Sequence, residues 1–576
     1  MDKRAVSNAL DEAATLMELG GDNPFRVRAY RNASRTVLGL SVDLAEAVED
    51  GSILSVKGIG KNIAEHIGEL LASERPPFLA ELRSRFPASV LEMLRIPGLG
   101  PKKIRILMDK LEVGSVGELE YVCRENRLLD LPGFGKKTQE NILKGIAGLT
   151  AYAGRYLAVN VQREADVIVG ALHSARGAVR VSVAGSLRRR KEVVKDMDLL
   201  ASGDAEELMG AVASHPLVDE VTARGDTKLT ARLGSGVNLD LRVVPDHSFP
   251  YALQHFTGSK EHNIALRGRA VSMGLKSNEY GLFKGKKNIP CEDEGGIYER
   301  LGLTYIPPEL REAMGEIEAA EKGELPRLVE PEDIQGALHV HTVASDGSAT
   351  MEEMIDSARK LGLSYLGITE HSQSARYARG LDRDRVREEW ESIDRINAGL
   401  EGFTVLKGIE SDILPDGSLD YPDDILASFD FVMGSVHSGF TMPEDRMTER
   451  ICRALENPYL DILGHPTGRL LLTREPYPVD MERVLECAAA NGKAIELNAH
   501  PYRLDLDWRL MPRAKALGIR IAICPDAHGT EDLLYTLTGV GAARKGWMEK
   551  EDVLNCMAAE ELKSWFAERR KRLSRP

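Results

Sequence analysis

Cysteine is scarce in this sequence. Six occur in 576 residues, none spaced as C-x-x-C. That is too few for a disulfide scaffold and suggests neither a zinc ribbon nor a redox pair. A reducing, cytoplasmic setting is the expectation. Long apolar runs are also missing. None approaches the ~18 residues a membrane span needs, and Met1 to Leu19 is amphipathic and acidic, with no apolar core of a signal peptide. No membrane partner is expected. Positive charge is in deficit as well: the net charge is −14, which at first argues against a nucleic-acid partner.

The distribution of charge changes that reading. Residues 1–150 hold 21 basic and 21 acidic residues, 151–318 hold 22 and 23, and 319–576 hold 32 and 45. The acidity sits in the last part, so the first half can carry basic patches opposite acidic ones. With 28% charged and 43% hydrophobic residues, the chain has ample length for three to five domains.

The first 150 residues read as short helices punctuated by glycine, and they contain a repeat. Val56-Lys57-Gly58-Ile59-Gly60-Lys61 recurs as Ile96-Pro97-Gly98-Leu99-Gly100-Pro101-Lys102-Lys103 and as Leu131-Pro132-Gly133-Phe134-Gly135-Lys136-Lys137, at offsets of 40 and 35 residues. Each copy runs into an apolar-periodic segment. Two glycines let the backbone approach a phosphate, the next helix presents free N–H groups and a positive dipole end, and the lysines add charge. Three copies with lysine in the same place point to sequence-independent DNA contact. The motif resembles the helix-hairpin-helix.

From 151 to 250 the pattern is α/β. Strands are expected at 179–186, 196–200 and 237–244, the last with strict alternation at its centre. Residues 251–318 form a smaller mixed unit, and 319–334, charged and holding Pro326 and Pro331, read as a linker. After 335, seven β-segments alternate with helical stretches: 337–341, 365–369, 404–407, 431–434, 462–464, 494–497 and 520–524. This suggests a parallel α/β barrel.

Two constellations carry chemistry. In the first, Asp196 and Asp198 are two apart on a strand and leave the same face. Asp240 sits mid-strand in an apolar surround, where an unpaired carboxylate would be costly. Three convergent carboxylates can hold two Mg²⁺ ions about 3.5–4 Å apart, to activate a 3′-oxygen and stabilise leaving pyrophosphate. Ten residues upstream, Gly185-Ser186 ends a strand and opens a helix. That geometry cradles a triphosphate, with Arg188, Arg189 and Arg190 available to neutralise it.

This stretch resembles the nucleotidyltransferase palm of family X DNA polymerases, and the likeness extends over about 1–318. It implies Asp196, Asp198 and Asp240 as catalytic ligands of Mg²⁺ or Mn²⁺. It implies a nucleotide site of Gly185, Ser186, Arg189, His255, Phe256, Gly258 and Asn263, in which Phe256-Thr257-Gly258 supports the sugar and base. Asn263 and Arg267 would lie in the minor groove at the nascent pair. Asn23 to Arg31 resembles the family's 5′-phosphate-binding segment, so Arg26, Arg28 and Tyr30 join Gly58, Gly60, Lys61, Gly98, Gly100, Lys102, Gly133, Gly135, Lys136 and Arg267 as DNA-binding candidates. The chain departs from the family at four places. His66 stands where lyase domains carry a Schiff-base lysine, and an imidazole cannot form the imine; Lys61 is an alternative amine. Lys195 replaces a glycine, His255 a tyrosine and Asn238 a basic residue, which bears on fidelity and sugar discrimination rather than on the metal site.

In the second constellation, six of the thirteen histidines lie at or beside successive strand ends: His339, His341, His371, His437, His465 and His528. Asp346, Glu410 and Asp526 accompany them. All nine fall at the C-terminal ends of strands, where barrel active sites assemble. Nine N/O ligands suit two or three ions, and imidazole with carboxylate but no thiolate favours Zn²⁺, Mn²⁺ or Fe²⁺. Clustered divalent metals hydrolyse phosphate esters by activating water. The segment resembles the polymerase and histidinol phosphatase (PHP) domain over nearly all of 335–576. All nine ligand positions are matched, which implies two or three Mn²⁺ or Zn²⁺ ions. Glu370 replaces an aspartate beside the ligands. His500 lies near the same face, as a substrate contact or a structural residue.

The expected architecture is multidomain. An all-α helix-hairpin-helix region comprises a lyase-like domain (1–80) and tandem fingers (81–150). An α/β nucleotidyltransferase palm (151–250) and a thumb (251–318) follow, then a linker (319–334) and a distorted, TIM-like α/β PHP barrel (335–576). The order matches bacterial and archaeal family X DNA polymerases. It implies a monomeric gap-filling polymerase of base excision repair, acting on gapped or nicked DNA with a 5′-phosphate and on dNTPs. The barrel would supply metal-dependent 3′–5′ exonuclease, abasic-site endonuclease or 3′-phosphatase action. Two rival readings are a metallophosphatase of small phosphate esters with a degenerate polymerase half, and a non-catalytic DNA-end scaffold.

Overall fold

A computed structural model of the chain describes all residues except 1, 2, 41–43, 73–75, 97, 130, 151–153 and 574–576. It divides into two compact units, Met1–Leu149 and Thr150–Pro576. Among the described residues no helix is long and apolar enough to cross a membrane.

The first unit is helical. Its opening helix, Lys3–Leu19, buries Val6, Leu10, Ala13 and Met17, a spacing that puts them on one face. The next helix, Pro24–Gly39, starts with Asn23 accepting a hydrogen bond from the Phe25 N–H at 2.9 Å. The three hairpins share one geometry. Gly58, Gly98 and Gly133 have φ of 96°, 81° and 86°, a region that side-chain-bearing residues rarely adopt. The apolar residue between the glycines, Ile59, Leu99 or Phe134, is buried in each copy and anchors the turn. Helices follow at Lys61–Ala72, Pro101–Leu111 and Lys136–Thr150. Pro97 of the second copy lies outside the described residues.

The second unit contains three larger sheets, whose strands we number together. The palm has β1 (Ala178–Val183), β2 (Asp196–Gly203), β3 (Val218–Arg224), β4 (Lys228–Leu233) and β5 (Asn238–Val244), in the order β1-β2-β5-β4-β3. β3 and β4 were not expected from the sequence. β2 and β5 are parallel, with Asp198 directly opposite Asp240. Alternation assigns the faces: Met197, Leu199, Leu239 and Leu241 pack on the helix Ala158–Ser174, and the acidic residues take the opposite face. The thumb carries a small antiparallel sheet of β6 (Lys276–Asn278), β7 (Gly281–Lys284) and β8 (Lys287–Ile289).

Seven parallel strands form the barrel: β9 (Gly336–Val340), β10 (Tyr365–Ile368), β11 (Thr404–Asp412), β12 (Phe431–Ser435), β13 (Ile462–Leu463), β14 (Ala494–Asn498) and β15 (Ile521–Cys524). The chain after β15 hydrogen-bonds back to β9, the His341 N–H donating to the Ala527 carbonyl at 2.9 Å. This brings the first and last strands together. At the N-terminal strand ends, Leu562 and Phe566 of the final helix pack on Tyr365 and Phe431. The opposite end is left to the polar side chains.

Two expectations change. The segment 319–334 is not a free linker: the helix Glu316–Lys322 crosses its start, and Ala320 and Leu328 are buried in the thumb core. The cysteines are not all free either. Cys452 and Cys487 form one disulfide between the helices Glu444–Glu456 and Met481–Ala490.

Candidate active sites

The turn after β1 shapes the palm site. Gly185 has φ 60°, and a Cβ there would lie 2.0 Å from Asp198 Oδ2, so only glycine lets the turn close on the carboxylate. A cleft of about 440 Å³ opens beside it. Gly185, Ser186, Arg189, Asp196, Asp198, His255, Phe256, Gly258, Asn263 and Arg267 all line it, together with Lys260, which sequence reasoning missed. Gly258 has φ 72°, and a Cβ on it would meet Arg189 Nη1 at 3.0 Å. Asn263 accepts from Gln254 at 2.8 Å and donates to the His255 carbonyl at 2.7 Å, so its amide holds the turn that carries Phe256.

Asp198 is pushed up to about 6, chiefly by burial and then by Asp196 and Asp240. Asp196 and Asp240 both act on Asp198, and divalent cations would stabilise such a set of carboxylates. Asp240 differs from the expectation. Its side chain is 30% exposed, pairs with Lys228 at 2.9 Å and accepts from Thr230 Oγ1 at 2.6 Å. Burial raises it, but these hydrogen bonds and the Lys228 charge bring it below the usual range. Both partners lie on β4, a strand that sequence reasoning missed although its residues alternate. Arg242, also missed, lies over the Phe256 ring at 4.6 Å. The arginine run divides its work. Arg189 lines the cleft, whereas Arg188 makes paired bonds to Glu294 at 3.0 and 2.6 Å, and the Arg190 stem lies against Gly541 of the barrel.

The barrel site brings together all nine residues expected there. His341, Asp346, His371 and His528 form one group of potential ligand atoms within 4.8 Å of one another. His339, His341 and Asp526 form a second, and His371, Glu410 and His437 a third. His465 joins through Nε2, 3.0 Å from Glu410 Oε1. His339 and Asp526 have φ of 62° and 52°, uncommon conformations for side-chain-bearing residues that recur at functional sites. Both ring nitrogens of His341, Nε2 of His339, Nδ1 of His465 and Oε2 of Glu410 are buried without a hydrogen-bond partner. Such orphaned donor atoms fit divalent ions. Burial drives His341 and His465 down to about 3, which favours the neutral imidazole that a metal needs. Burial opposes the Glu410 charge, yet His437, His339 and His371 hold it well below the ordinary range.

Residues outside the nine orient them. Glu496 contacts His339 Nδ1, Asp412 contacts His437 Nδ1 at 2.6 Å, and Glu370 accepts from Thr342 N–H at 3.0 Å and from the Ser345 hydroxyl. Sequence reasoning missed Glu496 and Asp412. For Asp412 the available signal was its alternation with Glu410 on β11; Glu496 stands on β14, which carries none of the nine, and gave no such signal. His500 is buried, its ring 5.7 Å from that of Tyr502.

In the first unit, Arg26, Arg28, Lys61, Lys102 and Lys136 are exposed, as are Gly58, Gly60, Gly98, Gly100, Gly133 and Gly135. Tyr30 is not a surface contact: it is 2% exposed, and its hydroxyl lies 2.6 Å from His66 Nδ1. His66 itself stacks on Phe78 with centroids 4.0 Å apart.

Comparison with known proteins covers the chain in segments. Residues 1–76 match a helix-hairpin-helix domain, 90–147 a SAM-like helix-hairpin-helix tandem, 252–312 the DNA polymerase beta thumb and 337–500 the PHP domain. The DNA polymerase/3′-5′ exonuclease PolX of Bacillus subtilis (strain 168) is 38% identical over 573 residues, 98% of this chain and 99% of that protein. A probable phosphatase of Caldanaerobacter subterraneus is 31% identical over 246 residues, 41% of this chain and 92% of that protein. A probable phosphatase of Acetivibrio thermocellus is 32% identical over 213 residues, 34% of this chain and 83% of that protein.

Proposed function

We propose that this chain, which belongs to the family X DNA polymerases with a C-terminal PHP domain, fills short gaps in DNA during base excision repair and trims 3′ ends with its barrel. The observation that carries the polymerase reading is the Asp198–Asp240 register beside the Gly185–Ser186 turn and the cleft of about 440 Å³. Asp196, Asp198 and Asp240 would hold two Mg²⁺ or Mn²⁺ ions, which supply activation of a 3′-oxygen and stabilisation of pyrophosphate. The Gly185–Ser186 turn receives the dNTP triphosphate at a helix start, and Arg189 neutralises it. Phe256 and Gly258 support the sugar and base.

The nine barrel residues would hold two or three Mn²⁺ or Zn²⁺ ions, which supply water activation for phosphodiester cleavage. The exposed hairpin glycines and lysines, with Arg26 and Arg28, engage gapped DNA bearing a 5′-phosphate. The protein acts as a cytoplasmic monomer. The barrel's likeness to proteins named probable phosphatases favours a 3′-phosphate as a second barrel substrate.

One gel assay tests both halves. Gapped, 5′-phosphorylated DNA is incubated with wild type, Asp198→Ala or His341→Ala, with and without nucleotides and Mn²⁺, and with a 3′-hydroxyl or 3′-phosphate end. Extension lost only in Asp198→Ala and end removal lost only in His341→Ala is the expected pattern. Extension retained in Asp198→Ala would remove the three-aspartate assignment.

A further inference from the structure

The barrel reaches into the polymerase half at one buried ammonium. Lys545 ends the helix Tyr535–Lys545, and its side chain is 0% exposed. Its Nζ donates to the Arg189 carbonyl at 2.9 Å, to the Glu309 carbonyl at 3.3 Å and to Glu312 Oε1 at 2.6 Å. The same Glu312 oxygen accepts from Arg189 Nε at 3.0 Å. Lys545 therefore holds Arg189 twice, directly through its main chain and indirectly through its guanidinium. The palm segment following Arg189 is tied to the barrel at a second point: Glu192 accepts from Trp508 Nε1 at 3.3 Å.

A buried ammonium costs free energy unless it is fully paired, and an apolar side chain could join two domains without that cost. What the lysine adds is direction. Three oxygen acceptors on two polymerase segments fix where Arg189 and Glu312 sit relative to each other. Arg189 lines the cleft with Asp198 and Ser186, so a shift in its backbone moves a group that faces the cleft. We infer that Lys545 of the barrel is a positioning residue of the polymerase site, holding Arg189 in place for the nucleotide triphosphate. The barrel is on this account a structural part of the polymerase as well as an enzyme of its own. The inference rests on the reading of the cleft as the triphosphate site.

Single-nucleotide insertion into gapped DNA by the full chain tests it, with KM for the dNTP and kcat measured separately for wild type, Lys545→Met, Arg189→Ala and the double variant. Lys545→Met is expected to raise KM about tenfold with kcat within about threefold, since small displacements of a binding group have large effects. If Lys545 acts through Arg189, the double variant is no worse than Arg189→Ala alone; a merely structural lysine would multiply the two effects. Thermal midpoint and gapped-DNA affinity check the fold. If Lys545→Met does not fold, Glu312→Gln replaces it in the same cycle and decides the outcome. An unchanged KM in the folded variant, or a multiplied effect in the double, overturns the inference. An unchanged KM in Arg189→Ala removes the reading of the cleft itself, and the inference with it.

Discussion

Oε1 of Glu496 lies 2.5 Å from Nδ1 of His339, and both side chains are fully buried. A carboxylate there keeps the proton on Nδ1 and turns Nε2 toward Glu410 and Asp526, which it faces at 3.3 and 3.4 Å. Glu496→Gln removes the charge and keeps the shape. Metal affinity of the barrel is expected to fall about 10–100-fold. Metal content after dialysis, and recovery of end removal by excess Mn²⁺, measure it. Metal retention equal to wild type would mean that Glu496 does not tune His339.

Much of this site was legible because barrel strands announce themselves. A short apolar run followed by a histidine or acid recurs from His339 to His528, and these residues gather at or near the C-terminal strand ends, although Glu410 lies inside β11, which runs on to Asp412. The orienting residues were not legible, since Glu496 and Asp412 read as ordinary strand acids until their neighbours were known. In the palm, alternation placed Asp196 and Asp198 on one face, and the register that sets Asp198 opposite Asp240 came only with the fold. Nor could alternation show that Lys228 and Thr230 sit beside Asp240: β4 does alternate from Lys228 to Leu233, but alternation within one strand does not tell which strand it pairs with or in what register. Tyr30 misled for a different reason. Its arginine neighbours suggested a surface, but helical spacing puts it with Val27, Ala33 and Val37 on the buried face. Lys545 gave no signal, as nothing in sequence tells a buried lysine from a solvated one.

Asp198→Ala tests the carboxylate set at its most buried member. Nucleotide insertion is expected to fall by about 10³-fold or more, with gapped-DNA affinity and barrel activity unchanged. Primer extension and a binding titration on the same protein separate these effects.

His66 bears on lyase chemistry. Its imidazole is stacked on Phe78 and bonded to Tyr30, so neither its chemistry nor its setting supplies an imine-forming amine. Borohydride treatment with an incised abasic site is expected to give little or no covalent adduct. Strong trapping that disappears in Lys61→Ala would assign the role to that exposed amine.

Glu294 sets an acid limit on the junction of palm and thumb. It bonds Arg311 at 2.6 Å and Arg188 at 2.6 and 3.0 Å. Burial would raise its carboxyl, but the two guanidiniums hold it down to about 2. Its folded value lies below the unfolded one, so its stabilisation is present above about pH 4.5 and is lost as pH falls toward 2. The contribution is at most about 3 kcal/mol. The gap in thermal midpoint between wild type and Glu294→Gln is therefore expected to narrow from pH 7 to pH 3. A gap independent of pH would refute the coupling.

The barrel offers a graded test, because its histidines do not share their neighbours equally. His341 belongs to two of the three ligand groups, while His465 belongs to none of them and meets the set through Glu410 and the neighbouring rings of His437 and His339. Loss of His341 would leave two metal positions short of a donor, whereas loss of His465 would weaken one. His341→Ala is accordingly expected to reduce 3′-end removal well beyond the ~100-fold that an orienting residue supplies, and His465→Ala to reduce it less. Neither should slow nucleotide insertion, since the palm carboxylates form a separate set. A chelator should abolish end removal in wild type, and Mn²⁺ should restore it there but not in His341→Ala. Exonuclease rates on a labelled 3′ end, measured beside insertion rates for all three proteins, decide the matter. Equal losses in the two variants would contradict the shared role of His341, and full end removal in His341→Ala would overturn the assignment of nuclease action to the barrel.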